Sequence, residues 1–197
     1  MEELITAAVF LWDARSSWFE WYPYGPIVAA LTHWGMPFVA VYLLERRDWR
    51  SLGLRIPRRK RAAYGLYALL GLVGPGSLLG FDRPWVIEFV EQVAYIGLAE
   101  ELFFRGYVTG RLIHWLGNGK GIMGSAAIFA LAHFVSRVSQ VGLRYPMRLA
   151  EVYLQTLMGG LLLGYIYWRS KNIYPGAILH VAGNMYLGGL TDLFGAL

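Results

Sequence analysis

Apolar runs of membrane-spanning length alternate along this chain with short polar breaks. A transmembrane helix needs about 20 mostly apolar residues. Stretches 27–44 and 62–81 contain no Asp, Glu, Lys or Arg. Stretch 85–116 is as apolar but is interrupted by Glu88, Glu91, Glu100, Glu101, Arg105 and Arg111. Stretches 121–136, 152–168 and 172–191 again lack those four residue types, and His133 and His180 are their histidines. Six such runs joined by short connections predict an all-α fold, a polytopic membrane bundle of about six transmembrane helices. Residues 4–12 are too short a run to span, and Glu2 and Glu3 stand where a signal peptide would be basic. Trp18, Phe19, Trp21, Tyr22 and Tyr24 cluster ahead of the first run, as aromatic belts do at headgroup level. The expected organisation is therefore an N-terminal interfacial segment (1–26), two helices with a basic loop (27–84), and a core carrying the chemistry (85–197).

Composition sharpens this picture. The 197 residues are 56% hydrophobic and 16% charged, with mean hydropathy +0.41. A soluble domain carries roughly 25% charged residues, so a single soluble domain is excluded. With no cysteine, disulfide scaffolds, thiol catalysis and Cys-ligated zinc are excluded too. The net charge of +5 does not signal nucleic acid, because eight of the 18 Lys and Arg residues lie within 46–61, between two apolar runs. That placement is a topology signal. With loop 45–61 cytoplasmic, alternating spans put Arg111, Lys120, Arg169 and Lys171 inside, and Arg15, Arg83, Arg137, Arg144 and Arg148 outside. The expected location is multi-pass in a bacterial or archaeal plasma membrane, with the lipid bilayer as a partner.

The candidate chemistry lies in the charged and polar residues at mid-span. A charge at the centre of a membrane helix costs about 2.5–3.5 kcal/mol on insertion scales and marks a functional candidate. Glu101 and Arg105 are four apart, so they share a face with the acid N-terminal. Glu100 lies about 100° further round an α-helix and is expected to point elsewhere, into the bundle. Phe129 precedes His133 by one turn, and Asn184 follows His180 by one turn. A carboxylate and an imidazole can hold and deprotonate a water. A second imidazole and an amide can donate to a developing oxyanion. Taken singly, a Glu–Arg clip, a packed His or Phe, or an Asn joining helices would each be structural. Three such motifs in one small bundle are improbable as independent accidents. His33, His114, Glu88, Glu91 and Glu151 are read as packing or interfacial residues. Glu100, His133 and His180 could also form a two-His-one-carboxylate metal site, with zinc as the alternative. Their spacing is unlike HExxH, and Asn184 beside His180 suits oxyanion donation better than ligation. A non-enzymatic membrane regulator and a proton-coupled transporter would use the same residue types. The transporter would more often show two related halves.

At these motifs the chain resembles the CPBP (CAAX protease and bacteriocin-processing) intramembrane proteases, the glutamic-type group that includes the Ras-converting endoprotease. The resemblance covers about 85–193 and rests on Glu100-Glu101-x-x-x-Arg105, Phe129-x-x-x-His133 and His180-x-x-x-Asn184, in that order. The segment Ser51 to Arg55 (SLGLR) is similar to a stretch often found upstream in the family. The resemblance implies a metal-independent endopeptidase without a cofactor. Glu100 and His133 would activate the water, His180 and Asn184 would hold the oxyanion, and Glu101, Arg105 and Phe129 would support them. The substrate would be a membrane-associated protein or peptide, cut near a membrane-anchored or C-terminal segment.

Overall fold

The computed structural model describes residues 30–45, 49–54, 56, 58–68, 89–90, 92–141, 143 and 145–187. The expected interfacial segment 1–26 lies outside these residues, as do 69–88 and the end of the last apolar run. Six helices and no strand occur among the described residues. Helix α1 starts as π-helix, Ala30–Gly35, and continues as α-helix, Met36–Leu44. Two short 3-10 turns, Trp49–Leu52 and Arg58–Lys60, lead to α2, Arg61–Ala68. Helix α3 comprises Gln92–Gly97 (π), Leu98–Glu100 (α), Glu101–Thr109 (π) and Gly110–Leu116 (α). Helix α4 is Asn118–Val141 and α5 is Pro146–Ser170. Helix α6 joins Tyr174–Ala182 to a π turn, Gly183–Leu187. α4 and α5 extend several residues beyond the apolar runs 121–136 and 152–168, because hydropathy marks where a helix meets lipid and not where its hydrogen bonding stops.

Small residues set the helix spacings. Gly117, at φ 79°, turns the chain between α3 and α4, and a Cβ on Gly121 would lie 2.5 Å from the Ile113 amide nitrogen. The two helices therefore start as a tight hairpin. α5 lies along α4 with Gly160 against Ala126 and Gly164 against Ile122, where an added Cβ would come within 3.1 and 3.2 Å. α5 ends at Lys171, a left-handed residue at φ 52°. The Asn172 side-chain oxygen then accepts from the Tyr174 amide at 2.9 Å, which starts α6.

Residues 49–54 seal one end of the bundle. Leu52 is fully buried with Val41, Leu102, Tyr167 and Ile173. The Gly53 carbonyl accepts from the Ile173 amide at 3.1 Å, and Tyr167 donates to the Ser51 carbonyl at 3.2 Å. Arg111 of α3 holds both carboxylate oxygens of Glu45, with Nε–Oε1 at 2.7 Å and Nη2 paired to Oε2. It also donates to Ser51 Oγ at 2.9 Å and lies over the Tyr107 ring at 4.2 Å. This end collects the finish of α1, the finish of α3, and the turn from α5 to α6.

Polar and charged side chains are buried beside an apolar core, while large apolar side chains are exposed. The buried set includes Glu101, Arg105, Thr109, Ser125, Asn172 and His33. Leu154, Met158, Leu162 and Tyr165 form an exposed stripe on α5, while Gly160, Leu163, Gly164 and Tyr167 face inward. Among the described residues α5 is the one helix long and apolar enough to cross a membrane by length and composition. Its best window has mean hydropathy 1.3 and is 22% buried.

Candidate active site

The site forms where the two π stretches of α3 face α4 and α6. A π turn widens the helix, and such turns are frequent at functional sites. Glu100 ends the short α-helical insert and Glu101 begins the second π stretch. Both carboxylates reach the same imidazole. Glu101 Oε1 lies 3.2 Å from His180 Nδ1, and Glu100 Oε2 lies 3.8 Å from His180 Nε2. The two carboxylates diverge and meet the ring at different nitrogens, Glu101 at Nδ1 and Glu100 at Nε2.

Glu100 Oε2 is also 3.8 Å from His133 Nε2. It therefore stands the same distance from two imidazole nitrogens, too far for direct hydrogen bonds and suited to a single bridging water. Glu100 Oε2 is buried and has no hydrogen-bond partner among the described residues. Exposure of the three side chains falls from 35% at His133 through 18% at Glu100 to 10% at His180. The approach to the cluster therefore runs past His133.

Each imidazole is anchored through its other nitrogen. His133 Nδ1 lies 3.0 Å from the Phe129 carbonyl, one turn earlier on α4. A carbonyl only accepts, which assigns the hydrogen to Nδ1 and leaves Nε2 of the neutral ring as an acceptor. His180 Nδ1 donates to the Glu101 carboxylate in the same way.

Phe129 is the platform beneath the cluster. Its ring is 4.3 Å from His133, 4.9 Å from Phe104 and 6.1 Å from His180, centroid to centroid. The Arg105 guanidinium lies 4.2 Å over its face. Arg105 Nε is 3.4 Å from Glu101 Oε1, with both side chains buried. The Arg105 charge is thus balanced by one carboxylate and one aromatic face.

Asn184 stands apart from the imidazoles. It lies in the π turn of α6, its side chain is exposed, and Nδ2 donates to Gln92 Oε1 at 3.0 Å. The carboxamide is joined to the start of α3 and not to the His180 ring. Gln92 enters the site through this bond. His33 of α1, read from the sequence as packing, is buried, and its ring meets the edge of Phe103 at 5.7 Å. Trp34 beside it pins α1 to α3 by donating to the Ala94 carbonyl at 2.9 Å. Nothing in the local pattern around His33 signals this, because α1 meets α3 only in the folded chain. Among the described residues no group of three or more His, Asp or Glu side chains is arranged to hold a metal ion.

The class to which this chain belongs is a peptidase class. Residues 82–186, more than half of the chain, match the Rce1-like family, described as type II CAAX prenyl endopeptidase Rce1-like, and the chain belongs to that family. No curated protein and no solved structure matches the chain. The matched residues include all three motifs and the Gln92–Asn184 pair, and they exclude α1 with His33.

Proposed function

We propose that this protein is a glutamic-type intramembrane endopeptidase, and the observation that carries the reading is the convergence of Glu100 Oε2 with the Nε2 atoms of His133 and His180. Glu100 and the acceptor Nε2 of His133 hold a water and orient it. Glu100 takes a proton from that water as its oxygen bonds to the scissile carbonyl carbon. The carbonyl oxygen becomes an oxyanion, received by His180 and the Asn184 carboxamide. His180 already gives its Nδ1 hydrogen to Glu101, so it donates from Nε2 as the imidazolium, with Glu100 at that nitrogen and Glu101 at the other. Collapse of the tetrahedral intermediate breaks the C–N bond, and Glu100 returns the proton to the leaving amine. The reading needs no metal and no cofactor.

The exposed apolar stripe of α5 and the buried Glu101 and Arg105 support a multi-pass bundle in lipid, where large apolar surface needs no cover. The shared end of α1, α3, α5 and α6 agrees with alternating spans and a cytoplasmic loop at 45–61. The family's description points to a prenylated, membrane-bound C-terminal peptide as substrate.

The test is cleavage of a quenched-fluorescence prenylated peptide with a CAAX terminus by purified protein in lipid vesicles. Glu100→Gln is nearly isosteric and cannot act as the base. It is expected to lose at least about 100-fold in turnover while its membrane level and melting midpoint hold. Cleavage at the wild-type rate overturns the mechanism. Wild-type activity is expected to persist in EDTA or phenanthroline. Loss restored by Zn²⁺ would replace the reading with a metal-dependent one.

A further inference from the structure

The Asn184 carboxamide needs an anchor if it is to stabilise an oxyanion. A carboxamide has two N–H donors at one end and an acceptor oxygen at the other. Turned by 180°, it would present its oxygen to the developing negative charge and oppose the reaction. Asn184 also sits in a π turn at the far end of α6, beyond the part of that helix packed through Gly176, Ala177 and Val181. Local backbone therefore does not decide which end of the amide faces the substrate. The partner that does is on another helix. Gln92 Oε1 accepts one Nδ2 hydrogen at 3.0 Å, which holds the nitrogen end of Asn184, and among the described residues its second N–H is uncommitted on an exposed side chain. Gln92 lies eight residues before Glu100 on α3. The helix that carries the base thus also orients the oxyanion donor of α6.

We infer that Gln92 is the positioning residue for Asn184, holding the carboxamide with its free N–H toward the carbonyl oxygen of the bound peptide. The inference rests on the proteolytic reading above. Gln92 touches neither substrate nor water in this scheme and acts only through Asn184. A misplacement of about 1 Å at a reacting group can cost about 100-fold, so loss of the anchor should appear in kcat and not in KM.

The experiment is a double-mutant cycle on the full chain in vesicles with the prenylated CAAX peptide, using Gln92→Leu, Asn184→Ala and the pair. Gln92→Ala serves as a second variant should the leucine not fold. Melting midpoints confirm that each protein is intact. Gln92→Leu is expected to lower kcat roughly 10- to 100-fold with KM unchanged. In the Asn184→Ala background the same change is expected to do nothing further, because the residue it positions is gone. An additional loss of equal size in that background means that Gln92 acts independently, and overturns the inference. So does a Gln92 variant at the wild-type rate beside an impaired Asn184→Ala, an outcome that leaves the proteolytic reading standing. Asn184→Ala at the wild-type rate removes the oxyanion role itself. A wild-type chain that cleaves nothing removes the proteolytic reading, and the inference with it.

Discussion

Glu101 has two partners on one oxygen, and their separate contributions can be measured. Its Oε1 faces both Arg105 Nε at 3.4 Å and His180 Nδ1 at 3.2 Å. Removing one member of a buried ion pair leaves an uncompensated charge and costs about 3–5 kcal/mol, whereas replacing both with apolar groups of similar volume is often neutral. Glu101→Gln should therefore lower the melting midpoint sharply, since it removes the carboxylate paired with the buried Arg105. Glu101→Gln combined with Arg105→Met should recover most of that stability. It should not recover cleavage under the proposed mechanism, because His180 has lost the carboxylate that holds its Nδ1. Melting midpoints and cleavage rates of the two proteins, measured side by side, decide this. A stable double variant that cleaves at the wild-type rate would reduce Glu101 to a structural counter-ion. His133 needs no such helper, because the carbonyl that holds it belongs to the backbone of its own helix.

Helices α3 and α6 come close enough for this chemistry because glycine stands at two crossing points. A Cβ on Gly176 would lie 2.5 Å from Glu101 Oε2, and one on Gly97 would strike Val181 Cγ2. Gly176 is one turn before His180, and Gly97 is three residues before Glu100, so the closest approach of the two helices brackets the cluster. Gly176→Ala is expected to destabilise by about 1–3 kcal/mol through overpacking. It should also push Glu101 off His180, so that activity falls further than stability at temperatures where the protein is fully folded. Equal wild-type rates below the melting transition would show that Glu101 has room to move. A second crossing predicts a purely structural effect. Gly106→Ala places a Cβ 2.6 Å from the Leu52 carbonyl and should loosen segment 49–54, lowering the melting midpoint and leaving cleavage by folded protein unchanged. The motif spacings made part of this legible in advance. Phe129 and His133 share an α-helical face on α4, and Glu101 pairs with Arg105, as i,i+4 reasoning expects. The rest was hidden because it depends on contacts between helices. Both carboxylates meet one imidazole of α6 at its two nitrogens, and the Asn184 amide meets Gln92 of α3. His33, in α1, reaches Phe103 of α3 through tertiary packing alone.

At the scale of the whole molecule, one end is basic and the chain returns to it repeatedly. Glu45, segment 49–54, Arg111, Tyr167 and the 170–173 turn meet there through the Arg111–Glu45 pair and the Gly53–Ile173 and Tyr167–Ser51 hydrogen bonds. Arg50, Arg58, Arg59, Lys60 and Arg61 are exposed on the adjoining segments. Near an anionic cytoplasmic leaflet each such residue contributes about 1 kcal/mol of attraction. The opposite end holds the link from α4 to α5, where Met147 is 84% exposed. Charge asymmetry and the shared end therefore make the same topological statement from independent observations: one from the count of Lys and Arg, the other from which loops touch. The chain contains no cysteine, so single introduced thiols report without background. An impermeant maleimide added to intact cells should label Met147→Cys. It should label Arg58→Cys and Lys171→Cys only after permeabilisation. Arg58→Cys and Lys171→Cys reacting on opposite sides would break the shared end and the six-span alternation with it. Both reacting from outside, with Met147→Cys protected, would keep the bundle and invert it. The basic end would then face away from the cytoplasm, against the positive-inside rule.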